Sequence, residues 1–317
     1  MQIAFFPYVQ VKEDIELGDF ILWPFYGRKD KYISDPQIKE YLKKYFGRYF
    51  DCYNDKLLRT ITVLSFKEEV GIFRELTSEE KSLVWKIAHI LAFTAISYPC
   101  IFPINSDAFL VYVQSFTPGE DGVAIHGTYC SKLSLVKFVK PPYIKRGILP
   151  INSLDSGLLK AFGKVSLAKG DKGATRIMRS LEWYYYAHSG AESISEFSKI
   201  VMMSTAFEML LDLPEDKRRN FRKRISDLVD PMLDEWAKEF YDLRSAIVHG
   251  ALMNVERLWY KRNKNNKSHL QIADRVFRVV VKKKLCGKSF YEWDAGDGIS
   301  EVIMKEHLEG VKANETG

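Results

Sequence analysis

An arginine, a serine and a histidine near the end of one amphipathic segment form a set that is able to cleave RNA. Arg244 and Ser245 are adjacent, and His249 follows Arg244 by five positions. When the 2′-hydroxyl of RNA attacks the adjacent phosphorus, a histidine can exchange protons with the attacking or the leaving oxygen. A guanidinium can hold the non-bridging oxygens and stabilise the charge of the transition state. These residue types predict a phosphoryl transfer that needs no metal ion.

The spacing of Arg244 and His249 sets a geometric condition on this chemistry. Five positions rotate a residue by about 140° around a regular helix, so the two side chains do not share one straight face. They can converge if the helix is distorted at His249 and Gly250, or if two chains combine their residues. The alternative is a structural role, because a histidine at the end of a helix is often a cap and its imidazolium form suits the negative end of the helix dipole.

The segment that carries the pair is predicted to be a single helix, Pro231–His249. Proline suits a first helical position, and Gly250 suits the left-handed residue that ends a helix. The apolar residues of the segment recur at spacings of three and four, which predicts a face buried in a core. These apolar residues are Leu233, Trp236, Phe240, Leu243 and Ile247.

Further helices are predicted around this segment. Ser193 and Glu196 have the spacing of a capping box at the start of one helix, and Pro214 marks its end. A polar loop is predicted at residues 260–268. The other predicted helices cover residues 174–189, about 215–228 and 270–285.

The first half of the chain mixes strand and helix patterns. Residues 3–11, 60–66 and 108–116 are rich in β-branched and aromatic residues and predict strands. A helix is predicted at residues 35–46, and a longer one follows a capping box at residues 77–80. Proline and glycine residues then interrupt the pattern up to residue 150. The predicted fold class is α+β, with a mixed α/β sensor or regulatory domain at residues 1–152 and an all-α domain at residues 153–317.

The composition is that of an ordinary globular protein. The net charge is +6, from 47 basic and 41 acidic residues, so polyanion binding would depend on local clusters. The four cysteines form no CxxC pair and predict free thiols in a reducing compartment. The chain starts without a signal-peptide pattern and contains no apolar run of membrane-spanning length, which predicts a cytoplasmic protein with no membrane partner.

Cofactor chemistry finds little support in the sequence. No P-loop, GxSxG or dinucleotide-binding glycine pattern is present. His126 and Cys130 are spaced like half of a metal site, but no second pair accompanies them. His89 lies in an apolar helix and is predicted to be a core residue, and His188 has no identifiable partner. We therefore expect neither a cofactor nor a metal.

Basic residues in the helix predicted at 215–228 could contact RNA phosphates. Smaller basic clusters lie at residues 261–267 and 282–284. A solvated helix face or loop is the alternative for each cluster. The residues of the first cluster are Lys217, Arg218, Arg219, Arg222, Lys223 and Arg224.

Four consecutive aromatic residues, Trp183–Tyr186, could stack on bases. Consecutive residues cover every side of a helix, so most of the four are predicted to lie in the core or in a dimer interface.

The segment Phe240–Gly250 resembles the motif of HEPN-superfamily proteins, in particular the Apea-like HEPN group. In that family a tyrosine, a leucine, an arginine and a serine lead into a hydrophobic pair and then into His-Gly. Thr205–Leu211 and Phe221–Leu228 are similar to the family helices that precede the motif. The resemblance covers about residues 155–310, and the N-terminal half looks like the sensor or targeting regions that accompany such domains.

The resemblance implies a helical bundle, commonly a homodimer, with metal-independent endoribonuclease activity in phage defence or as a toxin. Arg244 and His249 would be the catalytic pair and Ser245 the polar residue between them. RNA would be the substrate, and a trigger ligand or protein would act at the N-terminal domain. The family often has asparagine, aspartate or histidine where Ser245 stands. Some members have lost activity, so a non-catalytic module for dimerisation or for nucleotide or RNA binding is the alternative.

Overall fold

The computed structural model divides the chain into two compact units, Met1–Asp171 and Lys172–Gly317. No helix among the described residues is long and apolar enough to cross a membrane. The described residues are 4–6, 9–26, 32–34, 36, 39–40, 49–51, 60–71, 76–96, 114–119, 122–127, 144–146, 149–151, 158–164, 170–188, 194–263 and 269–286.

The first unit is built on an antiparallel sheet of four strands in the order β1-β6-β4-β3. A parallel pair joins β10 to β2, another joins β9 to β5, and β7 and β8 form a hairpin. The strands are β1 Ala4–Phe6, β2 Val9–Val11, β3 Ile15–Leu17, β4 Phe20–Phe25, β5 Tyr49–Asp51, β6 Ile61–Phe66, β7 Gln114–Gly119, β8 Gly122–Gly127, β9 Ile144–Arg146 and β10 Leu149–Ile151.

Large apolar side chains of the central strands form the core of the first unit. Trp23 and Phe25 of β4 are fully buried, and Val63 of β6 is the register partner of Trp23. The indole N–H of Trp23 donates to the Ser65 hydroxyl at 3.0 Å, which satisfies a polar group that burial would otherwise destabilise. The predicted strand at 60–66 is confirmed by β6. The strand predicted at 3–11 is divided into β1 and β2.

Helix α1, Ser78–Ile96, follows the predicted capping box. The backbone N–H of Thr77 donates to the Glu80 carboxylate at 2.8 Å, and the N–H of Glu80 donates to the Thr77 hydroxyl at 3.3 Å. His89 is buried in this helix, and burial lowers its pKa to about 4, which confirms a core histidine. The helix predicted at 35–46 and the strand predicted at 108–116 lie largely outside the described residues.

The boundary between the units falls after Asp171, later than the predicted residue 152. Residues 158–164 are helical and pack into the first unit. Phe162 contacts Phe93 edge-on at 5.6 Å between ring centroids. Gly163 lies so close to the backbone of Gly18 that an added Cβ would approach its nitrogen to 2.7 Å. The contact depends on the absence of a side chain at Gly163. No local pattern in the sequence indicates it, so nothing in the sequence places the domain boundary after residue 164.

The described part of the second unit is helical. Phe207 is fully buried, and its ring contacts Phe221, Phe240 and Phe277 at centroid distances of 5.3, 6.1 and 5.3 Å. These rings come from four helices, so one aromatic cluster holds the unit together. The helices are α2 Lys172–His188, α3 Glu196–Leu211, α4 Lys217–Leu228, α5 Asp234–Val248, α6 Leu252–Asn263 and α7 His269–Cys286.

Two predictions in this unit are wrong: the cap of α3 and the first part of the loop at 260–268. Helix α3 is capped by Ser195, whose hydroxyl accepts from the Ser198 N–H at 3.1 Å, and not by Ser193. Residues 260–263, predicted as loop, belong to α6. An apolar side holds α6 in place, because Val255 is buried and the Trp259 ring contacts Phe197 at 5.3 Å.

Candidate functional site

The end of α5 fixes the backbone around His249. Gly250 has φ 69° and is the left-handed residue that the sequence predicts. The N–H of Ala251 donates to the Ala246 carbonyl at 2.9 Å, and the N–H of Gly250 donates to the Ile247 carbonyl at 3.3 Å. This pair of bonds is a Schellman motif, in which the last carbonyls of a helix are satisfied by its own chain. His249 itself is exposed.

Arg244 lies on the same helix and is more buried than His249. Its side chain is 24% exposed, and its Nη2 lies 3.5 Å from Oε1 of Glu208. The guanidinium carbon is 5.7 Å from the centroid of the Tyr241 ring. Its Nε is buried and makes no hydrogen bond within the part of the chain that is described. The arginine is therefore held by Glu208, while about a quarter of its side chain stays accessible to a ligand.

Arg244 and His249 do not converge within one chain. Helix α5 runs without interruption to Val248, and the Schellman motif ends it without a kink. The two side chains therefore diverge by about 140° and are offset by about 7.5 Å along the axis. Ser245, next to Arg244, is half-buried, and its carbonyl accepts the N–H of His249 at 3.0 Å. The helix distortion that would join the pair does not occur, so a shared site requires a second chain.

Glu208 of α3 is the hub that positions Arg244. Besides Arg244, its carboxylate accepts a hydrogen bond from the Tyr241 hydroxyl at 3.0 Å and pairs with Lys217 at 2.6 Å. Burial and the neighbouring Glu208 carboxylate together raise the pKa of Tyr241 to about 12, against the opposing charge of Arg244. Tyr241 thus stays protonated and keeps donating to Glu208. In the sequence Glu208 is visible only as a member of the segment Thr205–Leu211, because no local pattern indicates that polar groups of α4 and α5 meet its carboxylate.

Glu208→Gln is expected to lower the free energy of unfolding by about 1–3 kcal/mol, the range for hydrogen bonds to charged groups. The amide keeps the size of the side chain but leaves Lys217 and Arg244 without their shared counter-charge. Urea unfolding measures the effect. Glu215→Gln is the matched control, because the Glu215 side chain is exposed. Equal unfolding midpoints for the two variants would show that Glu208 is not a hub.

The basic cluster of α4 is divided by ion pairs. Three of its six predicted RNA-binding residues are paired with carboxylates of the same unit. Arg219, Lys223 and Arg224 are exposed and form no ion pair with any described residue. The pairs are Lys217 with Glu208 at 2.6 Å, Arg218 with Asp242 at 2.6 Å and Arg222 with Asp234 at 3.0 Å. Only the unpaired half of the cluster is ready to bind phosphates without first breaking a bond.

The aromatic run in α2 is also divided. Tyr184 is fully buried and stacks on Phe277 at 4.9 Å, whereas Trp183 and Tyr186 are 36% and 41% exposed. His188, for which the sequence indicates no partner, lies 3.1 Å from the Asp274 carboxylate of α7. Residues that are 86 positions apart show no signal of this pairing in the sequence.

Two findings bear on ligands and relatives. Within the described ranges, no group of three or more His, Cys, Asp or Glu side chains is placed to hold a metal ion, and Cys130 of the His126–Cys130 pair lies outside those ranges. No family model, curated protein or solved structure matches the chain.

Proposed function

We propose that this protein is a metal-independent endoribonuclease of the HEPN type. The observation that carries the proposal is the arrangement on α5: a tethered, partly exposed Arg244 is followed by an exposed His249 at the end of the same helix. The resemblance of Phe240–Gly250 to the HEPN motif supports RNA as the substrate. Arg244, Ser245 and His249 are the proposed site residues.

Each residue has a distinct role in the proposed reaction. Arg244 binds the non-bridging phosphate oxygens through the donors that Glu208 leaves free. His249 takes the proton of the 2′-hydroxyl or gives a proton to the 5′-oxygen that leaves. Attack of the 2′-oxygen forms a bond to phosphorus as the bond to the 5′-oxygen breaks. The products are a 2′,3′-cyclic phosphate and a 5′-hydroxyl end. Ser245 adds a hydroxyl beside Arg244.

The proposed site is formed by two chains. Because Arg244 and His249 diverge on a straight helix, one chain cannot direct both at the same phosphate. In a two-fold homodimer every contact between two residues occurs twice, so Arg244 of each protomer can face His249 of its partner and form two equivalent sites. The resemblance further supports a role in phage defence or as a toxin, with the first unit sensing a trigger or restraining the nuclease in the cytoplasm.

Incubation of the purified protein with total RNA and tRNA in EDTA tests the proposed reaction. We expect cleavage products that end in 2′,3′-cyclic phosphate, identified by end-group analysis after a denaturing gel. Products that end in 3′-hydroxyl groups would contradict the mechanism.

Complementation tests whether the site is shared between chains. Arg244→Ala and His249→Ala are each expected to be inactive. A co-expressed mixture should recover about a quarter of the parental activity, because half of the dimers are mixed and each mixed dimer holds one intact site of two. If the parent is active but the mixture of the two variants recovers no activity, and mass measurement shows that mixed dimers are present, a shared site would be refuted.

The ion pair between Arg244 and Glu208 favours a second candidate function, a non-catalytic dimerisation or nucleotide- or RNA-binding module. An arginine that already has a carboxylate partner can serve to hold α3 against α5. This alternative predicts that the parent protein cleaves no RNA in EDTA. It also predicts that Arg244→Ala lowers the unfolding midpoint while the dimer of the parent persists.

A further inference from the structure

One face of α2 carries a stripe of basic and aromatic residues. Lys172, Arg179, Trp183 and Tyr186 are exposed, and Arg176 is half-buried. Their spacings are four, three, four and three, which place them along one side of a helix. We call these five residues the α2 stripe. The opposite side of the helix packs into the core.

The two aromatic rings of the stripe support each other. The Trp183 and Tyr186 rings meet edge-on, with centroids 6.4 Å apart and planes at 83°. The Tyr186 hydroxyl donates to Glu182 at 3.4 Å, and the Tyr185 ring lies 6.0 Å from Tyr186. More than a third of each residue remains accessible. Neighbouring side chains thus hold both rings in place, and the accessible part of each ring leaves a surface on which a flat ligand can stack.

Two of the three cations of the stripe are available to a polyanion. Lys172 and Arg179 form no ion pair with any residue in the described ranges. Arg176 pairs with Asp212, which caps the end of α3. Among the described residues, Glu182 and Asp212 border the stripe and Asp171 directly precedes Lys172; Asp212 is already engaged by Arg176.

The positive surface continues onto α4 and α7. Lys283 donates to the Leu228 carbonyl and so joins the end of α7 to the end of α4. Lys284 is exposed beside this contact. Partial burial of its ammonium group lowers its pKa, as do the charges of Arg224 and Arg176, whereas the charge of Asp212 raises it, so these groups lie near one another. The surface therefore gathers basic residues from three helices.

We propose that the α2 stripe binds single-stranded RNA, with bases stacked on Trp183 and Tyr186 and phosphates on Lys172 and Arg179. The choice of RNA rests on the proposed ribonuclease function. A single strand fits because its unstacked bases expose their faces to aromatic rings, whereas bases within a duplex are already stacked on each other. Along about 21 Å of helix the basic residues come first and the two aromatic residues follow, so a strand that lies along α2 would place its phosphates on the cations and its bases on the rings.

The test measures binding of a fluorescent oligouridine of about 12 nucleotides to the full chain in EDTA, in a His249→Ala background that keeps the RNA intact. Trp183→Ala is expected to weaken binding by about 5- to 100-fold, the range for loss of one stacked base, while Trp183→Phe retains most of the affinity. Arg179→Gln is expected to lower the slope of log K against log salt by about 0.7, the value for one phosphate contact of a single strand. Tyr26→Ala and Lys86→Gln, which alter exposed residues of the first unit, are the controls.

Three outcomes would overturn this inference. The first is an equal loss of oligouridine affinity in Trp183→Ala and Tyr26→Ala, and the second is equal affinity for oligouridine and for a duplex of the same length. The third is a change of oligomeric mass in Trp183→Ala, which would make the aromatic pair an interface between copies. Cleavage by the parent chain is scored separately on a gel. Stripe-dependent binding without cleavage would refute the ribonuclease and retain the RNA-binding surface. Cleavage without stripe-dependent binding would retain the ribonuclease and refute the RNA-binding surface.

Discussion

His249→Ala is expected to lower the rate of RNA cleavage by a factor of about 10²–10⁴, the range for loss of a general acid or base. The free energy of unfolding should change little. His249 is exposed, its side chain forms no hydrogen bond with the described residues, and Gly250 and the Schellman bonds end the helix without it. Single-turnover cleavage in EDTA and urea unfolding of the same preparation separate the two effects.

The control for this experiment is Asn254→Ala, which truncates an exposed polar side chain five positions further along the chain. It should retain parental cleavage and parental stability. A His249→Ala protein that cleaves at the parental rate would remove His249 from the mechanism. A His249→Ala protein that unfolds more readily by about 1 kcal/mol or more would favour a structural cap, since that is the usual effect of losing a helix cap.

Local signals in the sequence were enough to predict most of the helices of the second unit. The apolar spacing of Trp236, Phe240 and Leu243 predicted the buried face of α5, and all three are buried. Gly250 predicted the helix end, and it adopts the left-handed conformation. Both signals depend on neighbours within a few positions, so a single sequence contains them in full.

Long-range partners could not be predicted in the same way. Glu208 meets Tyr241 and Arg244 across 33 and 36 positions, and no pattern in one sequence links such distant residues. The same limit applied to the basic helix: its charges are visible in the sequence, but the carboxylates that neutralise half of them come from α3 and α5. Composition therefore overstated the number of cations that are available to RNA.

The largest stability effect is expected at Asp274 of α7. Its carboxylate lies 3.1 Å from Nε2 of His188 and accepts hydrogen bonds from the Tyr184 hydroxyl and from Nε of Arg278, the latter at 3.0 Å. Tyr184, His188 and Arg278 are all buried. Asp274→Ala would leave a buried guanidinium without its counter-charge. It should lower the free energy of unfolding by about 3 kcal/mol, the lower end of the range for a broken buried pair, because Asp274 keeps 19% of its surface exposed.

The loss of this group should also alter the dependence of stability on pH. Burial alone would raise the pKa of Asp274, but the charges of Arg278 and His188 and their hydrogen bonds outweigh it and hold the pKa well below its usual range. A carboxyl group whose pKa is lowered by folding stabilises the protein fully above its unfolded pKa of about 3.9, and that stabilisation is lost as the pH falls towards the folded value. The urea midpoint of the parent should therefore decrease as the pH is lowered below about 4, and the midpoint of Asp274→Asn should decrease less over the same interval. Asp227→Asn, which alters an exposed carboxyl of α4, should follow the parent. If Asp274→Asn instead followed the parent, the network that joins α2 to α7 would contribute no stability through the charge of Asp274.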